Sequence, residues 1–246
     1  GILVSNEIMP DRAKILSENI ERMGVRNALV ISEDPRNISD RFYGFFDKIL
    51  VDAPCSGEGM FRRSETAINE WSPENVANCA KRQEWILDEA AKMLRENGTL
   101  CYSHEANCEG HYLCKLVKKR RMSGQESGCH EDEAVNKVMP LGGFEPELSK
   151  KDAADLKEMY KFFDETFSEE SDFKEYIKER KITRFKDRVY LLPKECPKLD
   201  GLKVLRPGLH LGTILKNRFE PGHALAKCLS CYDVKRACIL EPDGDE

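Results

Sequence analysis

A carboxylate and a thiol stand three residues apart in Asp52-Ala53-Pro54-Cys55-Ser56-Gly57, directly after the apolar run Lys48-Ile49-Leu50-Val51. Parallel strands present their C-terminal ends to the ligand crevice, so this strand would deliver an acid and a sulfur nucleophile there, with Pro54 stiffening the backbone that holds them. The string alone leaves a second reading open, a strand-end acid capping the next turn beside a buried structural cysteine. Gly57-Glu58-Gly59 is followed by neither Lys-Ser nor Lys-Thr and opens no apolar helix, which excludes a phosphate-binding loop for nucleoside triphosphates. Glu7 and Asp34 follow two earlier strand-like runs. Acids in such places accept hydrogen bonds from ribose hydroxyls or lie near adenine. Each alone also reads as a helix cap or a solvated loop acid; recurrence at three successive strand ends favours the ligand.

The elements that must position these residues alternate. Ile2 to Asn6 predicts a strand, and Pro10 with Ala13, Leu16, Ile20 and Met23, closed by Gly24, predicts a helix. Strands follow at Asn27 to Ile31 and Lys48 to Asp52, the latter expected to be buried on both faces. Ser72-Pro73-Glu74 starts a helix whose face runs through Val76, Cys79, Gln83, Ile86, Ala90 and Leu94 to a stop at Asn97-Gly98. Thr99 to Ser103 is a fourth strand. His111 to Val117 is a fifth, too close behind for a helical crossover, so it must be antiparallel or at an edge. This is an α/β pattern. From Lys118 to about Lys151 the chain turns polar and Gly-rich and reads as a linker. Leu156, Tyr160, Phe163 and Phe167 then mark a helix, and Arg188 to Leu192 and Leu202 to Leu205 mark strands of a small α+β module.

The chain has 246 residues, 40% hydrophobic and 34% charged, enough for a core in one or two domains. No apolar run reaches the roughly 20 residues of a bilayer-spanning helix, and Glu7 interrupts the first residues too early for a signal peptide, so a soluble, unexported protein is expected. Ten cysteines in no regular spacing point to reduced thiols in the cytoplasm. The net charge of −5 hides a contrast. Residues 126–173 carry 5 basic and 14 acidic side chains, whereas residues 174–227 carry 14 and 6, so a basic module sits within an acidic chain.

Asn6-Glu7-x-x-x-x-Arg12, Asp52-Ala53-Pro54-Cys55-Ser56-Gly57-Glu58-Gly59-Met60-Phe61-Arg62, Trp71-Ser72-Pro73, Gln83-x-x-Ile86-Leu87 and Glu109-Gly110-His111-Tyr112 closely resemble the Nop/Sun family of RNA cytosine-5 methyltransferases, in its bacterial RsmF-like branch acting on ribosomal RNA. Phe219-Glu220-Pro221-x-His223-Ala224-Leu225-Ala226 resembles that family's C-terminal RNA-binding module. The resemblance implies an incomplete Rossmann-like sheet binding S-adenosylmethionine in residues 1–121, a linker at 122–150 and an RNA-binding module at 151–246. It implies that Glu7 holds the cofactor ribose, that Asp34 lies near the adenine, and that Asp52 lies beside the methionine part and the target cytosine. It also implies that Cys55 helps release product. The family's attacking cysteine follows a Thr just after the strand matching Thr99 to Ser103; here the sequence continues His104-Glu105-Ala106-Asn107-Cys108. The chain also opens at the strand matching the family's second. The resemblance therefore implies a gapped sheet, weak cofactor binding and impaired turnover, with a noncatalytic RNA-binding protein or a non-functional fragment as alternatives.

Arg62 and Arg63 beside the Asp52 loop, and Lys203, Arg206, Lys216 and Arg218 in the basic module, are the candidate phosphate contacts. Lys115 to Arg121 reads either as part of that surface or as a solvated strand end. Cys228-Leu229-Ser230-Cys231 is a lone pair of cysteines on an apolar face, so packing is preferred to a metal and no metal is expected. Cys108 reads as a loop cysteine rather than a surrogate nucleophile. Oligomeric state is not indicated.

Overall fold

The computed structural model describes residues 1–57, 61, 65–106, 110–119, 150–216 and 218–237. Its elements run β1 (Leu3–Asn6), α1 (Pro10–Arg22), β2 (Ala28–Ile31), α2 (Pro35–Arg41), β3 (Phe46–Asp52), α3 (Glu65–Glu70), α4 (Pro73–Met93), β4 (Leu94–Ala106) and β5 (Gly110–Val117). There follow α5 (Lys150–Thr166), α6 (Asp172–Lys178), β6 (Ile182–Phe185), β7 (Arg188–Leu191), β8 (Val204–Arg206), β9 (Leu209–Leu215), β10 (Arg218–Pro221) and α7 (His223–Cys228). They form two compact units, Gly1–Glu33 with Leu141–Glu246, and Asp34–Pro140. The units cut across the division at 121 and 151 expected from sequence, and strand pairing explains why.

In the first unit β1 and β2 pair in parallel, Leu3 opposite Ala28 and Asn6 opposite Ile31. β8 adds antiparallel on the other edge of β2, with Val30 opposite Arg206. The strand expected at Leu202 to Leu205 thus leaves its own module to complete the N-terminal sheet. α1 covers this sheet, Ile20 packing with Ala28 and Val30 and with the partly buried Leu16, Val25 and Leu205. α7 holds the corner after α1, where the Cys228 thiol donates to the Gly24 carbonyl at 3.4 Å and Arg26 donates to the Cys228 carbonyl.

The rest of this unit is the antiparallel sheet β10-β9-β7-β6 under an aromatic core. Phe163, Phe167, Phe173 and Phe219 interlock there with Met159, Leu209, Leu211 and Leu225. The four phenyl rings meet at edge-to-face and tilted angles and add to the apolar burial that stabilises this unit. Ser171 caps α6, a helix the apolar periodicity did not reveal because it is only seven residues long.

The second unit carries the sheet β3-β4-β5. β3 and β4 pair in parallel from Lys48–Thr99 to Asp52–Ser103, and β4 and β5 form an antiparallel hairpin from Thr99–Val117 to Ala106–Gly110. The edge, antiparallel placing of β5 agrees with its expectation. α4 begins on a Ser72 cap as expected, but ends at Met93, before Asn97, and the chain passes straight into β4. The parallel pairs β1–β2 and β3–β4 lie in separate sheets, as a gapped Rossmann-like α/β arrangement requires. One expectation is corrected. Among the described residues β3 is an outer strand of its sheet, not a doubly covered one: Val51 is buried but Leu50 is 73% exposed.

Arg206 is also corrected. It is expected to face phosphate, yet it is 2% exposed, because β8 turns it under α1 to meet Glu21 at 3.1 Å. Breaking a buried pair from one side strands a charge, whereas replacing the buried cation by an apolar side chain does not. Since Glu21 is partly solvated, Glu21→Ala is expected to cost about 2 kcal/mol more than Arg206→Met in urea unfolding.

Asp233 ties the C-terminal turn to α6. Its Oδ1 accepts from Ser171 Oγ (2.8 Å) and Phe173 N (3.2 Å), and its Oδ2 from Ser230 N and Oγ, each at 2.8 Å. Burial opposes its charge, but these donors outweigh burial and hold the carboxyl below its ordinary 3.8. A depressed acid contributes stability above its unfolded pKa and loses it as pH falls through the folded one. Asp233→Asn is therefore expected to cost about 1–2 kcal/mol at neutral pH. The deficit should shrink as unfolding is repeated at pH values below 3.8.

Candidate active site and nucleic-acid interface

Glu7 sits one residue past β1, where a side-chain clamp fixes the strand ends. Asn6 Nδ2 donates to the Glu33 carbonyl (3.0 Å), and Glu33 N donates back to Asn6 Oδ1 (2.9 Å). Glu7 Oε1 accepts from Met9 N at 3.0 Å at the start of α1, and Oε2 pairs with Arg12 at 3.0 Å. The Asn6-Glu7-x-x-x-x-Arg12 spacing is therefore that of a carboxylate anchored by its own helix.

Asp34 caps α2, its Oδ1 accepting from Arg36 N at 2.9 Å with Pro35 in the first turn. The cap and the strand-end acid are the same residue. Asp52 closes β3 opposite Ser103 and is exposed; Cys55 follows, half-buried. Gln83 on α4 donates to the Pro54 carbonyl at 2.9 Å, and Gly57 takes a φ of 80°, which glycine adopts without strain. Asp52 and Cys55 thus stand three residues apart at the strand end, with the backbone between them held at Pro54. Glu7 belongs to one compact unit, and Asp34, Asp52 and Cys55 to the other.

Sequence reasoning missed Glu33, whose buried carboxylate accepts from Lys203 N at 2.6 Å and so locks β8 to the end of β2. Nothing in the spacing signals it, because its partner lies 170 residues away.

Among the basic candidates, Lys203, Lys216 and Arg218 expose their side chains, the last two flanking the β9–β10 turn. Arg206 points inward to Glu21. Arg62 and Arg63 lie outside the described residues, as do Cys108 and Arg120-Arg121. Within the basic run after β5, Lys118 donates to the Ala91 and Leu94 carbonyls at 2.9 and 2.8 Å and closes the C-terminus of α4. Cys228 is buried, its thiol pushed up by that burial, while Cys231 is exposed. Among the described residues no group of three His, Cys, Asp or Glu is placed to hold a metal, and no helix is long and apolar enough to cross a membrane.

Residues 1–111 match the family model described as 16S rRNA methyltransferase RsmB/F, and residues 162–229 match that of the RsmF rRNA methyltransferase first C-terminal domain. Ribosomal RNA small subunit methyltransferase F of Vibrio vulnificus is 29% identical over 99% of this chain and 59% of its own length. That of Shewanella piezotolerans is 29% identical over 94% and 56%. The Escherichia fergusonii protein is 42% identical, over 42% of this chain and 22% of its own. The chain spans a little over half the length of the first two. The crystal structure of NSun6 from Pyrococcus horikoshii with SFG overlaps 42% of this chain and 26% of its own at 30% identity and a TM-score of 0.36. Both parts of the chain are thus similar, in chain order, to models of one lineage, the RsmB/F ribosomal RNA methyltransferases and their RsmF-like branch.

Proposed function

We propose that this protein transfers a methyl group from S-adenosylmethionine to carbon 5 of cytosine in ribosomal RNA, in the cytoplasm. The observation that carries this reading is β3, a parallel strand ending in Asp52 with Cys55 three residues on, inside the stretch that matches the family model. The cofactor supplies an electrophilic methyl on a sulfonium. Glu7 would accept its ribose hydroxyls, Asp34 would lie toward its adenine, and Asp52 toward its methionine part and the cytosine ring nitrogen. The donor set fits such a group: Glu7 spends one contact on Met9 N and one on Arg12, which leaves acceptor capacity for hydroxyls.

Carbon 5 of cytosine is a poor nucleophile until a thiolate adds at carbon 6. The base must also leave its stack to be reached. Cys55 would assist product release. The phosphate contacts would come from Arg62, Arg63, Lys203, Lys216 and Arg218.

A second reading, RNA binding without chemistry, is favoured by β4. That strand runs through His104-Glu105-Ala106 into the hairpin with β5, Glu105 opposite His111, so strand pairing occupies the position where the family resemblance expects the attacking Thr-Cys. Turnover by this chain alone is accordingly expected to be slow.

The test is transfer of labelled methyl from S-adenosylmethionine to unmodified 16S ribosomal RNA, with RNA binding recorded in the same samples. Asp52→Asn is expected to lower transfer by about 100-fold or more while leaving RNA affinity unchanged. RNA binding with no transfer by the unaltered chain decides for the second reading.

A further inference from the structure

The β6–β7 hairpin and the segment through β8 border a cleft of about 420 Å³, all within one compact unit and lined by none of the residues given a catalytic, cofactor or phosphate role above. The volume suits a small organic group. Phe185 and Tyr190 stand on the same face of the hairpin with their rings perpendicular, 6.3 Å apart, and Tyr190 lies against His210 at 5.1 Å. Phe185 is 41% exposed, a large aromatic ring presented to solvent at a turn. Val204, Leu205 and Pro207 add apolar lining.

Lys186 and Arg188 flank the ring. Both are exposed, and neither is held in an ion pair among the described residues. Asp187 between them leaves the tip with a net positive charge. Lys186 also takes a φ of 57°, at a hairpin position where glycine or asparagine would relieve the strain.

We propose that this cleft holds one nucleotide of single-stranded RNA, its base against Phe185 over the edge of Tyr190 and its phosphate between Lys186 and Arg188. An aromatic platform beside free cations is the arrangement that takes unstacked bases with little regard to sequence. The inference rests on the reading that this protein acts on RNA, and it names where part of that RNA is gripped.

The test is fluorescence anisotropy of a short, labelled single-stranded oligoribonucleotide with the full chain, across a salt series. The double variant Lys186→Gln/Arg188→Gln is expected to raise Kd about tenfold and to flatten the slope of log affinity against log salt by about 0.7, the release from one single-strand phosphate. Phe185→Ala is expected to raise Kd about tenfold for the single strand, with the slope unchanged and a duplex of the same sequence unaffected. Lys186→Gly is expected to weaken binding while the Tm stays level or rises, an outcome that damaged folding does not produce. Unaltered affinity and slope in the double variant would overturn the cleft and leave RNA recognition standing. Equal losses for duplex and single strand in Phe185→Ala would overturn base stacking. An unaltered chain that binds no RNA overturns both the cleft and the reading beneath it.

Discussion

The pairing of β2 with β8 is the interaction on which the first unit depends. Two parallel strands of four residues each cannot cover their own hydrogen-bonding edges or bury their faces, and a two-stranded sheet has marginal stability in water. β8 satisfies one edge, and Glu33, Lys203 and Ser32 fasten the end of that pairing through Lys203 N to the Glu33 carboxylate and Ser32 N to the Lys203 carbonyl. The buried Arg206–Glu21 pair then ties β8 to α1. Residues 1–33 thus share their sheet with a strand more than 170 positions later, and such long-range closure must precede the packing that rewards it.

The second unit faces the complementary problem. Its parallel pair β3–β4 gains an antiparallel partner in β5 on one side, while β3 is the outer strand on the other and shows Leu50 to solvent. An apolar outer strand invites pairing with another chain. The unit compensates on its covered side, where Phe42 stacks against Phe46 at 5.3 Å and Ser39 hydrogen-bonds the Glu89 carboxylate across α2 and α4. Among the described residues the strand that carries Asp52 is thus paired along one edge, by β4.

Much of this was legible in the order of residues because it is local. α1 and α4 announce themselves by Pro at the first turn and by apolar periodicity, β5 by its closeness to β4, and the Asp52 to Gly57 stretch by its residue types. What was not legible depends on partners remote in sequence. Arg206 reads as one more cation in a basic run until β8 is seen to leave that module, and only then does Glu21 appear as its partner. The exposure of Leu50 is equally invisible, since an apolar run predicts burial whichever side of the sheet is covered. Short α2 escapes periodicity altogether; its signal, Asp34-Pro35, is a cap that was read as a ligand acid.

That last case shows that cap and ligand are not competing assignments. An ionised carboxylate offers about four acceptor sites and a helix cap uses one or two of them. Glu7 engages Met9 N with one oxygen and Arg12 with the other, and Asp34 engages Arg36 N with Oδ1. Each engagement fixes the side chain before any ligand arrives, so a ribose or base meeting it would not have to order it. Gln83 treats the Asp52–Cys55 loop in the same way by holding the Pro54 carbonyl. Caps and clamps of this kind are what make acids at strand ends useful, and the same bonds that look merely structural are the ones that pre-organise a site.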